Sequence, residues 1–141
     1  MSSVRQLIKG KAAIFAVEPE DPVLEAIQAM AEHSIGALLV MKGNELVGIV
    51  SERDYARKVI LLGRSSSETP VWQIMSAPVL TVSPDDSTQH CMQLMTDKRV
   101  RHLPVVEDGR VVGMLSIGDL VRAVLEEQQR TINDLESYIR S

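Results

Sequence analysis

Short apolar runs alternate with stretches of helical periodicity along this chain, and the alternation is written twice. Ile14 to Val17 and Val79 to Val82 are β-type runs, each closed by a proline that cannot continue a central strand. Val23, Ile27 and Met30 then fall at helical spacing, as do Thr88, Met92 and Met95, which predicts an amphipathic helix in each half. Asp21 ahead of Pro22 predicts an N-cap followed by the first helical position. Next, Ala37 to Met41 and Glu45 to Val50 flank Lys42, Gly43 and Asn44, while Leu103 to Val106 and Arg110 to Leu115 flank Glu107, Asp108 and Gly109. Short Gly-containing loops between apolar runs predict β-hairpins. A second helix is expected after each hairpin, from about Arg53 to Leu62 with Gly63 as its C-cap, and from about Gly118 onward. Each half therefore reads strand, helix, strand, strand, helix.

The duplication is legible at the level of single residues. GIVSERD from Gly48 to Asp54 returns as GMLSIGD from Gly113 to Asp119, every position 65 residues on, and the same offset pairs Val17 with Val82 and Pro19 with Pro84. A lead-in, VRQLI from Val4, returns as VWQIM from Val71, with two extra residues after the first copy. The organisation expected is a first unit over 1–63 including its lead-in, a polar linker over 64–70 (RSSSETP), a second unit over 71–125 and a C-terminal helical extension over 126–141. Along the last helix, from the end of the second unit into that extension, Val121, Leu125, Gln128, Ile132, Leu135 and Ile139 follow one another at alternating steps of four and three. This is a heptad seam, shorter than the three to four heptads that define a free coiled coil, and an amphipathic helix folding back on its own domain explains it equally.

Composition narrows the function classes. The 141 residues suffice for one ordinary domain, and two separate cores of about 65 residues would be marginal, so the halves are expected to pack together. A net charge of −4 argues against nucleic-acid binding, which clusters Lys and Arg against phosphates. Hydrophobic residues make up 45% of the chain, yet no apolar run approaches the roughly 18 needed to span a bilayer. The start, MSSVRQLIKGK, lacks a secretory signal, and a cytoplasmic location is expected. Cys91 is the only cysteine, so an intramolecular disulfide and a cysteine-based zinc cluster are both excluded.

The Ser-x-x-Asp pairs at the mouths of the second helices carry the candidate chemistry. One reading is a capping box, with Ser51 and Ser116 accepting from backbone amides while Asp54 and Asp119 reach back. The other is a ribose site, in which a carboxylate accepts from both hydroxyls of a cis-diol while the serine and helix amides face a phosphate. Spacing alone favours capping.

Two tandem strand-helix-strand-strand-helix units, with GIVSERD and GMLSIGD closing each hairpin and VRHLPVVEDGRVVGML in the second, resemble a CBS-domain pair, or Bateman module, over Ile14 to Leu125. The resemblance implies an α+β fold of two β-α-β-β-α units packed about a pseudo-twofold axis, with clefts that take AMP, ADP, ATP, NAD(H) or S-adenosylmethionine. It also implies a homodimer of two such modules. Carried onto this sequence, it makes Asp54 and Asp119 ligands of ribose hydroxyls, with Ser51 and Ser116 beside ribose or phosphate. Ala13, Ile14, Pro78 and Val79 would border adenine, and Arg101 and His102 would meet phosphate, helped by Arg53. Gly36 and Ala37 occupy the positions of Arg101 and His102 in the first copy, where the small pair leaves room for a base; the two sites should therefore differ.

Other residues point elsewhere or nowhere. His33 and His90 lack partners at metal-ligand spacing, so no metal is expected, and Arg57, Lys58 and Arg64 read as a solvated basic face. Cys91 reads as a small buried residue. The chain lacks a Gly-rich phosphate loop with a following Lys, GxGxxG, GxSxG and HExxH, so no catalytic residue is assigned. The function expected is regulatory: an adenine nucleotide binds and its occupancy is relayed to a partner protein, whose identity the sequence does not carry. The alternative is a constitutive assembly scaffold without ligand.

Overall fold

The computed structural model describes residues 3–9 and 14–140. Two compact units divide the chain, one of residues 13–80 and the other of residues 1–12 together with 81–141. They cut across the repeat expected from the sequence, because each lead-in belongs to the unit built mainly from the other copy.

In the unit of residues 13–80, β1 (Ala16–Val17) runs parallel to β2 (Ala37–Lys42), which pairs antiparallel with β3 (Glu45–Ser51) in the order β1-β2-β3. Helix α2 (Val23–His33) lays Val23, Ala26 and Met30 into a core with Val17, Leu38, Val40 and Val50. The second lead-in completes that core through a 3-10 turn at Val71–Gln73, with Val71 and Ile74 fully buried. The linker also docks here. Pro22, not Asp21, is the N-cap of α2, and it has no side chain to cap with, so the amides of Val23 and Leu24 donate to the carbonyls of Thr69 and Ser66 at 2.8 and 2.9 Å. Asp21 instead accepts from the Glu18 amide at 2.8 Å, closing the preceding turn.

The other unit repeats this plan with α4 (Thr88–Lys98), β4 (His102–Glu107), β5 (Arg110–Ser116) and α5 (Ile117–Arg140). Here α1 (Val4–Ile8) is the lead-in: the Val4 and Arg5 amides donate to Asp86 and Pro84 carbonyls, both at 2.9 Å, as Val71 and Trp72 donate to Asp21 and Pro19 in the first unit. Arg5 also bridges Asp85 and Glu107 at 3.2 and 2.7 Å, and these contacts hold its guanidinium pKa above the usual arginine value. Cys91 is buried, and desolvation followed by the charge of Asp86 pushes its thiol up to about 11, which makes it unreactive at neutral pH.

The expected strand at Val79 to Val82 does not form; only Val82 bridges to Val105. The reason is Pro104. In the first copy the Leu39 amide donates to the Phe15 carbonyl at 3.4 Å, whereas Pro104 stands at the matching place and has no N–H to give. The first strand is likewise shorter than the run from Ile14, covering Ala16–Val17.

Both hairpins form as expected, with a register shift at the same place, between Val40 and Met41 and between Val105 and Val106. Asp108 and Gly109 both take positive φ, 52° and 77°, the conformation of a type I′ turn. The glycines of the duplicated motif serve close packing: a Cβ on Gly48 would lie 2.5 Å from Met75 Sδ, and one on Gly113 would lie 2.8 Å from Ile8 Cγ2 and 3.1 Å from Ile8 Cβ. Met75 can swing its thioether aside, but Ile8 is branched at the point of contact. Gly113→Ala is therefore expected to destabilise the chain by about 1–3 kcal/mol, and Gly48→Ala by less, in urea denaturation.

The helix expected from Arg53 to Leu62 is an α-turn, α3 (Glu52–Tyr55), running into a π-helical turn at Ala56–Ile60, where the Leu61 amide reaches back to the Ala56 carbonyl at 3.0 Å. Within that turn Val59 is fully buried. Gly63, with φ 67°, ends the segment as expected. Helix α5 is continuous over 24 residues, and past Glu127 every described residue is exposed, so the extension does not fold back on its unit. Among the described residues no helix is long and apolar enough to cross a membrane.

Candidate functional site

Each unit builds the same corner where a hairpin enters its second helix. In the first, Ala37 at the start of β2 pairs with Ser51 at the end of β3, and the Glu52 amide donates to the Gly36 carbonyl at 3.1 Å. Ala37, Ser51 and Asp54 thus meet at this corner. β1 lies parallel on β2 with Ala16 opposite Leu39, and Ile14, two residues ahead of the strand, is exposed.

The second corner matches it: His102 pairs with Ser116, and the Ile117 amide donates to the Arg101 carbonyl at 2.9 Å. Arg101, His102, Ser116 and Asp119 share that corner, Arg101 exposed and His102 half-buried. Arg53 is exposed on the first turn of α3. Pro78 and Val79 follow Ser76, which pairs with Ile49 of β3; Pro78 is exposed and Val79 half-buried. Ala13 lies outside the described residues.

Both Ser-x-x-Asp pairs form capping interactions. Ser51 Oγ accepts from the Asp54 amide at 3.1 Å, and Asp54 Oδ2 accepts from the Ser51 amide and from Ser51 Oγ, both at 3.0 Å. Ser116 Oγ accepts from the Asp119 amide at 3.2 Å, and Asp119 Oδ2 accepts from the Ser116 amide at 2.8 Å. One oxygen of each carboxylate is thereby fixed.

The other oxygen in each case meets a cation that sequence reasoning missed. Asp54 Oδ1 lies 3.3 Å from Lys58 Nζ, and Asp119 Oδ1 lies 2.6 Å from the Arg122 guanidinium. The sequence places Lys58 on a solvated basic face; in the structure it also donates to the Ile74 carbonyl at 2.9 Å. The available signal was spacing, since residues three and four apart on a helix face each other. The two carboxylates are mostly buried, with 14% and 12% of their side chains exposed, whereas the Arg122 side chain is 68% exposed.

Beside the first corner lies a cavity of about 300 Å³ lined by Ile27, Met30, Ser34, Gly36 and Glu52. His33 stacks on Phe15 with ring centroids 3.7 Å apart, and His90 is exposed. Among the described residues no group of three or more His, Cys, Asp and Glu could hold a metal.

This construction occurs twice along the chain, and the CBS domain family matches residues 5–61 and 71–126. The chain belongs to the CBS-domain family. It is 46% identical over 126 residues to the mitochondrial CBS domain-containing protein CBSX3 of Arabidopsis thaliana, covering 86% of this chain but only 61% of that protein's length. A solved protein with CBS domains from Burkholderia ambifaria MC40-6 superposes with a TM-score of 0.87 at 50% identity, covering 90% of this chain and 96% of that one. The CBS domain pair of protein MJ0100, solved in complex with 5′-methylthioadenosine and S-adenosyl-L-methionine, has the same fold, with a TM-score of 0.81 at 23% identity over 90% of this chain and 98% of that one.

Proposed function

We propose that this chain is a non-catalytic sensor whose two Ser-x-x-Asp corners each hold the ribose of an adenosyl compound, AMP, ADP, ATP, NAD or S-adenosylmethionine. The observation that carries the reading is the split use of each carboxylate. Oδ2 is locked by the cap, so the group is oriented beforehand, while Oδ1 already accepts from a basic side chain at the surface. A ribose hydroxyl can take the place of that cation, and the displaced Lys58 or Arg122 then stands ready for a phosphate. Preorganisation of this kind lowers the ordering cost of binding.

The remaining roles follow the asymmetry of the corners. Arg101 and His102 serve the phosphate end at the second corner, with Arg53 contributing at the first. Ile14 and Ala37 offer an apolar, small-residue floor for adenine, bordered by Ala13, Pro78 and Val79. The solved MJ0100 pair, of the same fold, holds adenosyl compounds, which supports the ligand class. Occupancy is relayed to a partner only so far as the ligand binds one arrangement of the protein better than another. Native mass spectrometry of the purified chain is expected to show a co-purifying species of adenosyl mass that dissociates on dilution; a chain free of small molecules that also takes up none of these compounds at millimolar concentration contradicts the reading.

A second reading, an assembly scaffold without ligand, is favoured by one feature, the exposed apolar seam of α5.

A further inference from the structure

From its second turn α5 presents two faces. Leu120 and Ala123 enter the core of their unit, while Val121, Leu125, Ile132, Leu135 and Ile139 are exposed by 42%, 59%, 48%, 58% and 79%. These five and Gln128 form an a/d stripe about 27 Å long that stays exposed among the described residues.

We infer that this seam pairs with the same seam of a second copy, as an antiparallel two-helix coiled coil over residues 121–139. The charges beside the stripe choose the direction. In the heptad set by the seam, Arg122, Gln129 and Glu136 occupy e, and Val124, Thr131 and Tyr138 occupy g. A parallel pair faces e against g, so neither flank joins opposite charges. An antiparallel pair faces e against e. The register that uses all six seam positions sets Val121 against Ile139, Leu125 against Leu135 and Gln128 against Ile132. That same register places Arg122 of each copy opposite Glu136 of the other, twice by symmetry, with Gln129 facing Gln129 at the axis. Sliding by one heptad in either direction loses both ion pairs and two seam layers. Arg122 can serve Asp119 and an incoming carboxylate together, because its guanidinium carries five donors and is largely exposed.

Sedimentation equilibrium on the full chain tests the pairing through a charge exchange. Glu136→Arg, which sets Arg122 against a like charge at both ends, is expected to raise the dimer dissociation constant about tenfold or more, as is Arg122→Glu. The double exchange Arg122→Glu with Glu136→Arg restores opposite charges and is expected to return it to within about threefold of the starting value. Single exchanges that leave self-association unchanged, or a double exchange no better than either single one, overturn the proposal. So does a Gln128→Cys chain that oxidises readily to a disulfide dimer, since that position meets itself only in a parallel pair. Circular dichroism keeps an unfolded variant from being read as a dissociated one, and ligand uptake is not part of the readout.

Discussion

Ile74→Ala is expected to lower the stability of the chain by about 2–5 kcal/mol, a large share of the roughly 5–15 kcal/mol that holds a domain together. Ile74 is fully buried among Val17, Leu38, Val50 and Val59 in the core of residues 13–80. Its position is over-determined. The amides of Val71 and Trp72 donate to the Asp21 and Pro19 carbonyls, Ser76 exchanges both backbone bonds with Ile49, and Lys58 donates to the Ile74 carbonyl. With its neighbours held this firmly, the site cannot collapse around the missing carbons, which places the cost in the upper part of the range for such truncations. Trp72, half exposed in the same turn, offers a fluorescence probe of the transition. The check is equilibrium urea denaturation with the slope compared between variants. A loss below about 0.5 kcal/mol would mean that the second lead-in does not complete this core.

That prediction turns on a feature the sequence shows only obliquely. The lead-in repeat VRQLI and VWQIM was plain, but its offset is 67 residues against 65 for the rest, and nothing in a one-dimensional pattern says which core each copy enters. The exchange becomes visible only through long-range bonds such as Val4 to Asp86. The hairpins and amphipathic helices were legible because their signals are local: a Gly-containing turn between apolar runs, or burial every three to four residues. Where local signals misled, a missing or competing group was responsible. Pro22 has no side chain to cap with, so Asp21 turned to Glu18 and the linker carbonyls served the helix. Pro104 lacks the N–H that would have extended the strand at Val82. The candidate site was half legible. Ser51, Asp54, Ser116 and Asp119 stood out through their duplication, while Lys58 and Arg122 did not, because a basic residue on a helix is usually solvated.

The second large effect belongs to the carboxylates. Asp54→Asn and Asp119→Asn together are expected to weaken binding of an adenosyl ligand about 100-fold. On the proposed reading each carboxylate would accept charge-assisted bonds from the ribose diol, worth about 1.5–3 kcal/mol apiece, and an asparagine whose oxygen serves the cap would turn an NH2 donor to the diol in their place. Asparagine keeps an oxygen for the Ser51 and Ser116 amides, so the helix starts are retained and a loss of affinity is not a loss of fold. Losing the negative charge also releases Lys58 and Arg122, which favours an incoming phosphate and makes the test conservative.

The ribose itself can be varied, which makes titration calorimetry of ATP and of 2′,3′-dideoxy-ATP, on the wild-type chain and on the double Asp→Asn chain, the most direct measurement. The account predicts that removing the diol and removing the carboxylates cost about the same, and that doing both costs little more than either. ATP bound with equal affinity by the two chains, or a dideoxy ligand held as tightly as ATP, would contradict it.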